Sequence, residues 1–259
     1  MFAKIDANSI RSNTDELSAL SRGQMFSREF RYRRDAEIYG EAEPAEFIYQ
    51  IVEGAVRSYK LLSDGRRQIG AFHLPGDIFG LENGSAHRFT TEAIVDTTVW
   101  VLKRRSLEET AERDASVTRD LINLTTKNLQ HAESHLLLLG RQTSLEKVAA
   151  FLCEMDSRLS SSAVMTLPMF RRDIADYLGL SLETVSRALS MLRDRGILSF
   201  KSQTQREIVL LDRSKLARLV DQHQLISWSN VVPCQARWFN STACVNASGF
   251  PGDSSHTRR

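Results

Sequence analysis

Residues 167–206 read LPMFRRDIADYLGLSLETVSRALSMLRDRGILSFKSQTQR, and this stretch decides the fold of the C-terminal half. Ile174, Ala175 and Leu178 give a first helix one apolar face. Gly179 then stops it, because glycine adopts the left-handed backbone of a helix C′ position at little cost. Ser181 suits the N-cap of a second helix, where its hydroxyl accepts from an otherwise unpaired backbone N–H. Val185, Leu189 and Leu192 recur at steps of four and three and turn that second helix inward. Gly196 ends it. Residues 197–200 and 207–211 are β-rich runs joined by the polar segment 201–206. Helix, glycine turn, helix and hairpin together predict a winged helix-turn-helix.

The outward face of the second helix carries the chemistry. Glu183, Ser186 and Arg187 stand at i, i+3 and i+4, so they share one face near the helix N-terminus. That end of a recognition helix enters the major groove of DNA. Arginine donates two hydrogen bonds to guanine, glutamate accepts from cytosine N4, and serine serves either role. The plain alternative is an exposed Glu183–Arg187 ion pair worth a few tenths of a kcal/mol. Ser181 and Thr184 at the helix start, and Lys201 and Arg206 on the hairpin, are candidate phosphate contacts, which position a protein without specifying sequence. The segment holds seven Lys/Arg against four Asp/Glu, a modest basic excess of three that suits a DNA reader.

Upstream, from Phe30 to Leu102, short apolar runs are broken by Gly54, by Ser63-Asp64-Gly65 and by Pro75-Gly76-Asp77. Residues 47–52, 55–62 and 68–74 are expected strands, and 93–103 a further strand pair. Turns about every ten residues point to a β-barrel or roll. From Leu107 to Leu139 no Pro or Gly occurs, which predicts a long helix. Leu121 and Leu124 fall at helical spacing on it, and Leu129, Ala132, Leu136 and Leu139 follow as an a/d-type stripe; together they are expected to form a dimer seam or a face packed on the chain's own barrel. Residues 144–159 are a further helix, 160–163 a loop, and 213–224 a last helix. The expected domains are a polar tail at 1–28, a roll at 29–108, a dimerisation helix at 109–140, the winged module at 141–226 and a disordered tail or accidental extension at 227–259.

Composition narrows the function classes. The chain has 259 residues, 42% hydrophobic and 25% charged, with a net charge of +2, as for a globular protein of two modest domains. No apolar run reaches membrane length, so no membrane partner is expected, and the N-terminus lacks the apolar core of a secretory signal. Three cysteines without a CxxC pair disfavour a disulfide framework or zinc site and fit a reducing cytosol; a cytoplasmic protein is expected. Walker, GxSxG and HExxH motifs are missing, so enzyme activity is not expected.

The run DIADYLGLSLETVSRAL, with the preceding LPM, resembles the recognition motif of the CRP/FNR superfamily, in particular its FixK-type branch. The resemblance covers residues 29–225 and implies an α+β fold: a cyclic-nucleotide-binding-like roll, a long dimerisation helix and a winged helix-turn-helix. It implies a homodimeric transcription activator that binds double-stranded DNA and RNA polymerase, in oxygen-responsive, nitrogen-fixation or microaerobic control. The implied half-site resembles TTGAT. Leu182 stands where the CRP-type helix has an arginine that reads an extra guanine.

Departures from the family pattern bear on cofactors. Residues 80–93, GLENGSAHRFTTEA, place Phe89-Thr90-Thr91 after Arg88, where cyclic-nucleotide binders resemble R-S/T-A; such a ligand is not expected. No cysteine precedes Cys153, whereas an iron–sulfur cluster needs about four thiolates. Cys153 is read as a buried apolar residue or, alternatively, a redox-sensing thiol. His131 and His135, one turn apart, suit partly exposed polar roles better than metal binding. No cofactor or metal is expected, and the alternative reading is a ligand-, haem- or redox-gated regulator of the same superfamily. Phe170 occupies the position of the usual cap before RxDIA, so the first helix is expected to start earlier, capped by Thr166.

Overall fold

The computed structural model describes residues 28–159, 164–202 and 204–221. The expected loop at 160–163, both expected tails apart from Arg28, and the end of the last helix beyond Asp221 lie outside them. Eleven strands and six helices are described here: β1 (Arg28–Tyr32), β2 (Glu37–Tyr39), β3 (Phe47–Glu53), β4 (Val56–Leu61), β5 (Arg67–His73), β6 (Ile78–Phe79), β7 (Thr90–Ala93) and β8 (Thr97–Lys103), then α1 (Arg104–Arg113), α2 (Ala115–Leu139) and α3 (Ser144–Leu159). The C-terminal module follows with β9 (Met165–Thr166), α4 (Arg171–Leu178), α5 (Leu182–Asp194), β10 (Leu198–Phe200), β11 (Glu207–Leu210) and α6 (Arg213–Asp221). The fold is α+β, as expected.

Two antiparallel sheets make the roll, in the orders β1-β8-β3-β6 and β2-β7-β4-β5. The Asp-Gly signal closes the β4–β5 hairpin: Leu62 N donates to Arg66 O at 2.8 Å, and Arg66 N to the Asp64 carboxylate at 3.0 Å. Gly54, at φ +97°, turns β3 into β4, and a Cβ there would lie 2.6 Å from Asp96 O, so no larger residue fits. Between the sheets lie Tyr39, Tyr49, Ile51, Val56, Phe79 and Val99.

The expected single helix over 107–139 is two. Asp114, at φ −135° and ψ 104°, breaks the run, and its carboxylate caps α2 by accepting from Ser116 N at 2.9 Å. The expected boundary at 108/109 therefore falls inside α1. Leu124 of α2 is only 9% exposed and joins Ile48, Ile78, Leu102, Leu107 and Val117, with Leu121 packed beside them. These two leucines pack on their own roll, so two of the six expected seam positions are corrected; the alternative of packing on the chain's own barrel holds for them.

A larger core passes from the roll into the C-terminal module. Ile69, Phe72 and Leu74 of the roll belong to one cluster with Phe151, Leu152, Met155, Tyr177, Leu178, Leu189 and Leu192. The Phe72 ring lies 4.9 Å from that of Tyr177 and 6.3 Å from that of Phe151. Burying each such side chain contributes about 1.5–3 kcal/mol. On α2, His135 stacks on Tyr177 at 3.9 Å, and its Nε2 lies 2.9 Å from Tyr177 O.

Beside this apolar contact runs a network of ion pairs. Arg57 of β4 and Arg67 of β5 both donate to Asp173 Oδ1 of α4, at 3.1 and 2.6 Å. Arg67 also reaches Asp176 at 2.8 Å, and Arg57 pairs with Glu92 at 2.7 Å and Asp35 at 3.3 Å. Asp173 is 3% exposed. Its other oxygen accepts from Phe170 N at 3.2 Å, which caps α4 from within. The helix therefore starts at Arg171 with Phe170 as N-cap, not earlier from Thr166 as expected: the N3 carboxylate does the work that the Phe170 side chain cannot.

Removing one partner of a buried ion pair leaves its charge uncompensated, at a cost of about 3–5 kcal/mol. Asp173→Ala should lower stability by that amount in urea denaturation of the full chain. A loss below about 1 kcal/mol would show that Arg57 and Arg67 find other partners.

Candidate nucleic-acid interface

Helix α5 follows α4 through Gly179, whose φ of +62° is the left-handed turn that its sequence position demanded. Ser181 caps α5, accepting from Thr184 N at 3.1 Å, and the two hydroxyls lie 2.8 Å apart. Val185, Ala188, Leu189 and Leu192 are buried. The rest of the first turns faces outward. The side chains of Glu183 and Arg187 are 71% and 76% exposed and meet at 2.6 Å, while Ser186 beside them is half-buried. In so exposed a pair each partner keeps access to another ligand, because its attraction is screened by water.

The wing is the sheet β10-β11-β9. Lys201 is exposed at its hairpin, with its backbone N–H bonded to Glu207 O at 2.9 Å. Arg206 is placed differently from a free wing residue. Its guanidinium lies over the Phe170 ring at 4.9 Å and donates to Pro168 O at 3.3 Å, so it belongs to the N-terminus of α4. There it joins Arg171, which lies over Phe200 and bonds to Gln205, and Arg172, whose side chain is 73% exposed. Sequence reasoning missed Arg171 and Arg172. The signal was available: two arginines in the first turn of a helix oppose its dipole, an arrangement that calls for an anion.

On α2 the outward large apolar residues are Ile122, Leu129, Leu136 and Leu137, 60%, 57%, 70% and 56% exposed, and the first three stand seven residues apart. Ala132 is exposed and Leu139 half-buried. Ile122 was missed, because the stripe was begun one residue early at Leu121.

Cys153 lies on α3, half-buried against the shared core. His131 is exposed on α2, apart from the Tyr177 stack of His135. Among the described residues no group of three or more His, Cys, Asp or Glu could hold a metal. No described helix is long and apolar enough to cross a membrane.

An open cavity of about 310 Å³ lies between the roll and the helices beside it, lined by Tyr39, His73, Phe79, Arg88 and Phe89 of the roll together with Ala132 of α2 and Arg158 of α3. Burial pushes the His73 imidazole down to about 4, so it lines the cavity as a neutral ring. Arg88 is engaged with Glu82, Nε to Oε2 at 2.9 Å and backbone N to Oε1 at 3.3 Å. The Phe89 ring lies against Gly70, 3.0 Å from where a Cβ there would sit.

A roll joined to a capped, outward-facing recognition helix with a wing defines a DNA-binding transcription regulator. Residues 29–114 match the cyclic nucleotide-binding domain model, and residues 146–219 match that of the Crp-like helix-turn-helix domain. The nitrogen fixation regulation protein FixK of Rhizobium meliloti is 44% identical over 170 residues, covering 66% of this chain and 77% of that relative. FixK of Azorhizobium caulinodans is 44% identical over 193 residues, covering 73% and 77%. The structure of FixK2 from Bradyrhizobium japonicum superposes with a TM-score of 0.72 at 62% identity, covering 75% of this chain and 98% of that one. The chain belongs to the CRP/FNR family, among the relatives of FixK.

Proposed function

We propose that this chain is a cytoplasmic homodimeric activator that reads an inverted repeat of TTGAT-like half-sites, in the nitrogen-fixation control for which its relatives are named or in oxygen-responsive control. The carrying observation is the exposed Glu183–Arg187 pair on the capped first turns of α5. Arg187 is assigned to guanine, Glu183 to the cytosine N4 of a G·C pair, and Ser186 to a thymine. Ser181, Thr184, Lys201 and Arg206 are assigned to phosphates. Two such helices related by a twofold axis would fit half-sites about 34 Å apart. RNA polymerase is a proposed partner by family resemblance.

Losing one bidentate contact costs about 1–3 kcal/mol of discrimination. Arg187→Ala should therefore weaken operator binding about 5- to 150-fold and relax the preference at guanine in binding-site selection. A consensus without a TTGA core, or one unmoved by substitutions at 183 and 187, would sink the assignment.

The dimer seam in this reading is Ile122, Leu129, Ala132, Leu136 and Leu139, for which the exposed apolar row on α2 is the support. Leu129→Glu with Leu136→Glu should give a folded monomer with weak operator binding by sedimentation. An intact dimer would place the seam elsewhere.

The cavity beside the roll takes no cyclic nucleotide in this proposal, because Phe89-Thr90-Thr91 replaces the phosphate-binding pattern after Arg88. Calorimetry with cAMP and cGMP should give no heat of binding. Micromolar binding with a matching rise in DNA affinity would favour the ligand-gated alternative.

A further inference from the structure

The first strand of the roll ends in an arginine run. Arg28, Arg31, Arg33 and Arg34 stand within seven residues, and all four are exposed. Arg34 leaves this strand on a turn that is fixed from three sides. Its backbone N donates to the Asp96 carboxylate at 2.9 Å, Asp35 N to Ala93 O at 2.8 Å, and Ala36 N to Arg33 O at 3.0 Å. The turn delivers the Arg34 guanidinium over the Phe170 ring, 4.5 Å from its centre. Arg206, from the far end of the wing, lies over the same ring at 4.9 Å.

Two cations are thus gathered on one aromatic ring at the N-terminus of α4, where Arg171 and Arg172 already stand. The helix end is itself electropositive. Few carboxylates answer this charge. Asp173, the acid of the first turn, gives one oxygen to Arg57 and Arg67 and the other to the Phe170 backbone N–H, and Asp176 is shared by Arg67 and Arg172. Asp35 meets Arg34 only through Nε, at 3.2 Å, and also serves Arg57. The Arg34 Nη groups have no hydrogen bond among the described residues. In a helix-turn-helix the first helix crosses the DNA backbone, so this end of α4 is where phosphates arrive.

We propose that Arg34 of the roll is a DNA-phosphate contact, so that the binding surface extends from the winged module onto the β1–β2 turn, with Phe170 as the platform that Arg34 and Arg206 share. The inference rests on the DNA-binding posture proposed above. The contact reads no base; it adds sequence-independent affinity and ties the orientation of the roll to the duplex.

Each phosphate neutralised contributes about 0.9 to the slope of log affinity against log salt. One Arg34 per protomer makes two contacts in a dimer, so Arg34→Gln should lower that slope by about 1.8. The advantage of the parent over the variant should then shrink about 12-fold between 50 and 200 mM salt. Titrations of the full chain on a duplex carrying the inverted repeat, and on random-sequence DNA, measure this. The expected result is the same loss of slope on both duplexes, a further fall of similar size when Arg206→Gln is added, and no change for Arg105→Gln, whose side chain pairs with Glu109 on α1. A parental slope for Arg34→Gln, with or without a loss of affinity, overturns the proposal and leaves Arg34 a support for Phe170. A parent without preference for the repeat over random DNA is a different result, and it would overturn the half-site reading.

Discussion

The position of the DNA-reading helix relative to the roll depends on one buried carboxylate. Asp173 is nearly enclosed, and a charge in that place must be matched from every side. One of its oxygens accepts from two arginines on neighbouring strands of the roll, and the other caps the helix that carries it. The same group thus starts α4 and moors it. Because α4 and α5 share a core through Ile174, Val185 and Leu189, mooring the first helix orients the second. Burying such a network contributes little net stability compared with apolar packing. Its effect is directional: slippage of α4 along the strands would strand charges.

Around this anchor the surface is divided by charge. The acids of α4 turn inward to the roll, whereas Arg171, Arg172 and Arg206 gather at its N-terminus. The outward turns of α5 keep Glu183 and Arg187 exposed. A partner approaching this face meets cations at the helix start and one balanced, mobile pair on the reading face. In the proposed function the cations would supply attraction for any polyanion and the pair would discriminate among bases, which would place affinity and specificity in different side chains.

Much of this was legible because the deciding signals are local. Gly179, Ser181 and Gly196 act within a few residues of themselves, and the helix-turn-helix followed from them. The β4–β5 hairpin followed likewise from Asp64-Gly65. What failed was non-local. Leu121 and Ile122 are both apolar and adjacent, so periodicity alone did not choose which of two overlapping stripes faces the roll; Leu102 and Leu107 make that choice. The break at Asp114 had neither Pro nor Gly to mark it, only a capping side chain before Ala115-Ser116. Arg206 was assigned to a free wing because its ring partner, Phe170, lies 36 positions earlier and reads as a missing cap. Arg57 of β4 and Arg67 of β5 drew no reading from the sequence, since nothing near them names Asp173.

The family models divide the chain, one ending at residue 114 and the other beginning at 146, yet the apolar core ignores that division. Phe72 of the roll and Phe151 and Tyr177 beyond it share one interior. Separated halves would each expose an aromatic surface that folding hides, and neither would be a tidy inheritable part. Recombination that exchanged the reading half for a relative's would have to carry matching partners for Phe72, Arg57 and Arg67 across the join. Loops and outward helix faces carry no such constraint wherever a residue there touches nothing in the other half.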